Sequence, residues 1–166
     1  MKEEAPKYPE LDIRQIHDSI RECVELISSK ALNPDKVGTP LFRPAVTYVL
    51  ILLNDILQSA DDAGMRVSFT DDIKPTDAAD DVTTLINKCR NAACHIRSKE
   101  KSFGPVTFSF CVAVGHYPQA MEVNGVSVGC DYDDDIGVHF GSRRVYIRRH
   151  MIRALTEAAE KFGYQA

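Results

Sequence analysis

The sequence lacks the short strings that announce the common nucleotide-binding and zinc enzymes: it contains no G-x-x-x-x-G-K-[ST], no G-x-G-x-x-G and no H-E-x-x-H. A phosphate-cradling P-loop, a dinucleotide fingerprint and a zincin helix are therefore excluded. Its five cysteines, Cys23, Cys89, Cys94, Cys111 and Cys130, are odd in number and form no C-x-x-C. Neither a disulfide framework nor a zinc ribbon is expected, and they read as reduced thiols. Long apolar runs are also missing: the stretch from Val49 to Leu53 is far too short to span a bilayer, and Met1 to Pro6 holds no apolar leader core. No metal, cofactor or membrane is called for, and the cytoplasm is the expected compartment. Basic residues are not in excess, since the net charge is −4. A general nucleic-acid coat protein is disfavoured, whereas a small, locally basic site is still allowed.

What is present suits one domain over residues 1–166, with 44% hydrophobic and 27% charged residues. Met1 to Glu10 is polar with two prolines, a frayed entry segment. Ile13, Ile16, Ile20, Cys23, Val24 and Ile27 recur at helical spacing and predict a first helix from about Asp12 to Ser29, with His17 just off the stripe and read as a surface residue. Turn residues from Asn33 to Pro40 separate it from a second helix, which starts near Arg43 or Pro44 and ends near Ser59. A third helix, capped by Thr76 or Asp77, carries Val82, Leu85, Ile86, Cys89, Ala93 and Ile96 on one face and stops by Gly104-Pro105.

After that helix the period changes to two. Val106, Phe108, Phe110, Val112 and Val114 alternate with smaller residues, Asn124-Gly125 marks a hairpin between two short strands, and Ile136 to Phe140 reads as a further strand. A closing helix follows from about Val145 to Phe162. The expected fold is thus mainly α within the α+β class: a bundle of about four helices with a small antiparallel sheet, residues 106–140, inserted before the last one.

The third helix also bears a polar stripe of Asn87, Asn91, Cys94 and Ser98 beside Arg90. Such a stripe, nearly free of lysine, suits a cleft or a partner. Arg90-Asn91-Ala92-Ala93-Cys94-His95 resembles the R-x4-6-H motif of the HEPN superfamily, where the residue after the arginine is typically polar and the motif lies near the end of a helix. The resemblance implies an all-helical bundle, a homodimer formed through the motif helices, and metal-independent endoribonuclease activity of the toxin–antitoxin or phage-defence kind, with an antitoxin or nucleotidyltransferase as a further partner. It also implies Arg90, Asn91 and His95 as catalytic residues. The inserted sheet departs from a plain HEPN bundle. Arg143 and Arg144, separated from His150 by six and five intervening residues, match the same spacing.

Histidine can exchange protons near neutral pH, and an arginine presents a planar charged fork to phosphate oxygens. In metal-free RNA cleavage the neighbouring 2′-OH attacks, leaving a 2′,3′-cyclic phosphate and a 5′-hydroxyl. On a regular helix, Arg90 and His95 would stand about 140° apart and roughly 7.5 Å along the axis, so two motifs facing each other close a site more easily than one. Arg143, Arg144, Arg148, Arg149 and Arg153 lie within eleven positions, and the first four are candidates for holding the RNA backbone. The acidic run Asp131 to Asp135 departs from a calcium loop, because glycine is seventh and Ser142 stands where the bidentate glutamate belongs. It reads as a solvated turn, with pairing to the arginines as the alternative. The alternative function is a non-catalytic dimeric module that binds a nucleotide, RNA or protein, with sheet-edge pairing to another chain as a weaker variant.

Overall fold

The structure is a computed structural model that describes residues 10–95, 97, 99, 102, 103, 106, 107 and 110–165. The entry segment up to Pro9, the stripe positions Ile96 and Ser98, the Gly104-Pro105 stop and Phe108 lie outside the described residues.

Three helices come first: α1 (Glu10–Ser28), α2 (Phe42–Asp62) and α3 (Val82–Cys94). α2 is the centre of the molecule, as its nearly all-round apolar surface requires: Val46, Val49, Leu50, Leu53, Ile56 and Leu57 are buried, and it packs on α1, α3 and the last helix. The start of α3 lies later than the sequence suggests. Pro75–Asp77 forms a separate 3₁₀ turn, and Asp81 is the cap, its side chain accepting the Thr84 N–H at 2.8 Å. Arg66 holds that cap with Nε and Nη2 at 2.7 and 3.0 Å from the two carboxylate oxygens. Although burial pushes the Asp81 carboxyl upward, Arg66 and the Thr84 donors outweigh it and hold it below the usual carboxylate range.

Seven strands follow. β1 (Ser102–Phe103) and β2 (Val106–Thr107) pair with each other, and Phe110, which the sequence places within one strand from Val106 to Val114, lies outside any strand. β3 (Cys111–Val114), β6 (Ile136–Phe140) and β7 (Arg143–Tyr146) make an antiparallel sheet with β6 in the middle. β6 is buried at all five positions, as a central strand between two layers must be. β4 (Tyr117–Val123) and β5 (Val126–Cys130) form the hairpin that Asn124-Gly125 announces, with both turn residues at positive φ, 49° and 75°. The pairing slips between Tyr117 and Met121, and Gly129 sits opposite the slip. A Cβ on Gly129 would lie 2.2 Å from the Tyr117 carbonyl oxygen, so the bulge requires glycine.

The chain closes with six π-helical residues, Ile147–Ile152, that run into α4 (Arg153–Lys161). Val145 and Tyr146 therefore belong to the sheet and not to the closing helix. One hydrophobic core joins Ile20, Leu53, Ile86, Val138, Val145, Met151 and Leu155 from helices and sheet together. The architecture is α+β, with four α-helices and a small antiparallel sheet among the described residues. No helix among them is long and apolar enough to cross a membrane.

Candidate functional site

α3 buries Val82, Leu85, Ile86, Cys89 and Ala92 and leaves Asn87, Arg90 and Asn91 half-buried. These polar side chains are wired to one another. Arg90 Nη1 donates to Asn91 Oδ1 at 3.0 Å, Asn91 Nδ2 to Asn87 Oδ1 at 3.3 Å, and Asn87 Nδ2 to Asn54 Oδ1 on α2 at 3.0 Å. Asn54 is buried, and its own amide donates to Asp55 at 3.3 Å. The spacing i, i+4 from Asn87 to Asn91 is what puts two amides within reach on a helix. Arg90 Nε is buried and has no hydrogen-bond partner among the described residues, leaving a donor for an incoming acceptor.

His95 is the first residue past the helix. Its backbone is extended (φ −114°, ψ 115°), its N–H still donates to the Asn91 carbonyl at 3.1 Å, and its side chain is exposed. The helical separation of about 140° from Arg90 therefore does not carry through to its side chain. Cys94 is an exposed free thiol beside it. Arg43 does not join this group; its guanidinium lies over the Phe110 ring, 5.1 Å from the centroid.

The later arginines do not form one patch. Arg143 and Arg144 are buried in β7, and the Arg144 guanidinium lies 2.9 Å from the Asp131 carboxylate and 4.5 Å above the Tyr146 ring. Arg149 is bound to Asp134 and Asp135 and lies over the Tyr132 ring; Arg153 is bound to Asp71 and Glu157. Of the four candidates for RNA contact, Arg148 alone is exposed, and it too pairs with Asp134 at 3.5 Å.

The acidic run is correspondingly not a solvated turn throughout. Asp135 is buried and accepts the N–H groups of Ile136, Arg148 and Arg149 at 2.8, 2.9 and 3.1 Å, which caps the closing helix from outside. Pairing with the following arginines, the alternative reading of this run, describes Asp131, Asp134 and Asp135.

The second match to the motif spacing, Arg144 with His150, is structural. His150 is fully buried, and both ring nitrogens are used: Tyr146 N–H donates to Nδ1 at 3.1 Å and Nε2 bonds the Asp71 carbonyl at 3.0 Å. A carbonyl only accepts, so the proton sits on Nε2 and the ring is neutral. Burial pushes its pKa down. His139 is buried likewise, donates to the Gly129 carbonyl at 2.9 Å, and is pushed down to about 4 by burial. His17 is half-buried, with Nε2 3.0 Å from the Phe162 carbonyl, rather than a free surface residue.

One string of hydrolase type does occur, Gly125-Val126-Ser127-Val128-Gly129, in the G-x-S-x-G pattern. A nucleophile elbow sits on a strand-to-helix turn, whereas Ser127 lies within β5, paired across to Glu122. It is not an elbow serine. Among the described residues, no three His, Cys, Asp or Glu side chains gather as a metal site.

No family model, curated protein or solved structure matches this chain.

Proposed function

We propose that the chain is a metal-independent endoribonuclease of HEPN type, active as a two-fold dimer, with Arg90, Asn91 and His95 as its catalytic residues. The observation that carries this reading is the Arg90–Asn91–Asn87–Asn54 chain of hydrogen bonds, which fixes a charged fork at the end of α3 where His95 stands exposed. A positioned arginine with a free Nε donor suits the charge that builds on a phosphate during 2′-OH attack, and the exposed imidazole just past the end of the same helix suits proton exchange. Asn91 orients Arg90. Arg144, Arg149 and Arg153 have no part in this mechanism, because they are committed to carboxylates and rings within the fold.

The test is RNA cleavage in EDTA by the wild type and by His95→Ala and Arg90→Ala, with analysis of the product ends. Cyclic-phosphate ends that disappear in both variants, each still folded and dimeric, are the expected result. Cleavage that survives in both removes the assignment.

A second reading, a non-catalytic dimeric binding module, draws on three clefts of the described surface, none of which is lined by Arg90 or His95. A stable dimer that cleaves no RNA offered to it favours this module.

A further inference from the structure

Away from α3, the β4–β5 hairpin leans over the 3₁₀ turn Pro75–Asp77 and encloses a cleft of about 360 Å³. That volume is in the range of small-molecule sites. Its polar lining includes the Asp77 carboxylate beside Lys74, Thr76, Ser127, Ser142, His139 and Arg144. Arg144 is only 5% exposed, and its Nε is a buried donor with no hydrogen-bond partner among the described residues. A buried guanidinium N–H that has lost water and gained no acceptor is costly, so the arrangement points to an acceptor supplied from outside.

Nη2 is likewise buried without a hydrogen bond among the described residues, in ion-pair contact with Asp131, and the other donors of Arg144 are bonded within the fold. Nη1 donates to the Gly129 carbonyl at 3.3 Å, Nη2 lies 2.9 Å from Asp131 Oδ2, and its backbone N–H donates to Asp77 Oδ1 at 2.8 Å. Lys74 Nζ, half-exposed at the rim, shares the same Asp131 oxygen at 3.3 Å. Asp77 spends its two oxygens on the backbone N–H groups of Arg144 and Lys74. Two cations thus face two carboxylates, and the cleft carries no net charge to attract anions in general. Recognition must come from directed donors.

We propose that this cleft binds a phosphomonoester, its phosphate held by Arg144 Nε, Lys74 Nζ and the hydroxyls of Thr76, Ser127 and Ser142, and its organic body lying against Pro75, Val126 and Val128. Three terminal oxygens, each able to accept more than one hydrogen bond, can take up these five donors, where a carboxylate offers two oxygens. The apolar part of the lining gives the body a surface that an inorganic ion would leave unused. The proposal does not depend on the ribonuclease reading.

The experiment titrates the full chain calorimetrically and by thermal shift with inorganic phosphate, adenosine 5′-monophosphate and adenosine, and repeats it with Lys74→Met and Arg144→Lys. Lys74→Met alters a half-exposed side chain, so its fold is retained even if Arg144→Lys disturbs β7. The expected result is saturable binding of the monophosphate and not of adenosine, weakened at least about 10-fold in each folded variant. Monophosphate bound more tightly than phosphate supports an organic ligand; equal binding assigns the site to the free anion and overturns the organic body. Absence of binding by both at millimolar concentration, adenosine binding as well as its monophosphate, or affinity unchanged in Lys74→Met overturns the proposal.

Discussion

Asn87 Nδ2 donates to Asn54 Oδ1 at 3.0 Å, and through this bond the helix that carries Arg90 is registered against the helix at the centre of the core. Asn54 is buried, so its amide is a fixed point rather than a surface contact. Asn54→Ala leaves the Asn87 amide without its acceptor and is expected to cost about 1–3 kcal/mol of stability. If the proposed function holds, RNA cleavage falls by more than that loss of folded protein accounts for. Urea unfolding and initial cleavage rates on the same preparation separate the two effects; a rate that merely follows the folded fraction shows that the bond positions nothing.

The Asp135 carboxylate caps the closing helix from a different segment and also binds the Arg149 guanidinium at 3.1 Å. Asp135→Ala removes the acceptor of three buried or half-buried N–H groups and should destabilise by roughly 3–5 kcal/mol. Asp135→Asn keeps one acceptor oxygen and should lose less. Equilibrium denaturation of both variants checks the order, and equal losses contradict a capping role.

Gly129→Ala tests the bulge. Its methyl would fall 2.2 Å from the Tyr117 carbonyl oxygen and 2.5 Å from the Pro118 carbonyl, contacts that only backbone movement relieves. A loss of at least about 2 kcal/mol is expected, confined to the β4–β5 hairpin and seen there by amide chemical shifts. Shifts that spread evenly over α1 to α3 would show that the hairpin does not accommodate the change locally.

Acid should weaken the fold in a defined window. In the unfolded chain His139 and His150 take up protons near their ordinary pKa of about 6.5, whereas burial keeps the folded rings neutral to lower pH, His139 to about 4. Between those values the unfolded state binds more protons, so stability falls as pH drops from about 6.5 toward 4 and is level above. For His139 alone the loss is about 3 kcal/mol. Asp77 has the opposite sign, since burial raises its folded carboxyl and it takes up a proton before the unfolded chain does. Comparison of wild type with His139→Gln across this range isolates the histidine; parallel curves would be evidence against a neutral buried ring.

The helices were legible because their apolar residues recur at the helical period and are buried where that period puts them, as Leu50, Leu53 and Leu57 are in α2. The hairpin was legible because Asn124-Gly125 allows two positive-φ residues in succession. Misplaced features share a cause, which is long-range pairing. Asp81 displaces Thr76 and Asp77 as the α3 cap because Arg66, fifteen positions earlier, fixes it there. Arg143 and Arg144 look like surface charge, yet β7 pairs with buried β6, and Asp131 and the Tyr146 ring compensate Arg144. At the candidate site, Asn91 and Asn87 were legible as an i, i+4 stripe; the Arg144 cleft was not, since β5, β6, β7 and the turn at Asp77 meet only in space.

The β4–β5 hairpin is built unlike the rest of the molecule. Six successive residues of β4, from Tyr117 to Glu122, are exposed, the strand pairs with β5 alone among the described residues, and Pro118 within it has no N–H to donate. Opening β4 therefore exposes little of the core, and its amides should exchange with solvent through brief local excursions long before those of α2, whose exchange waits for global unfolding. β4 is thus a separate unit of stability, whereas the end of β5 is anchored in the core by Val128 and Cys130. A ligand in the cleft would rest on β5, whose Val128 and Cys130 are buried, so its residence would not wait on the opening of β4.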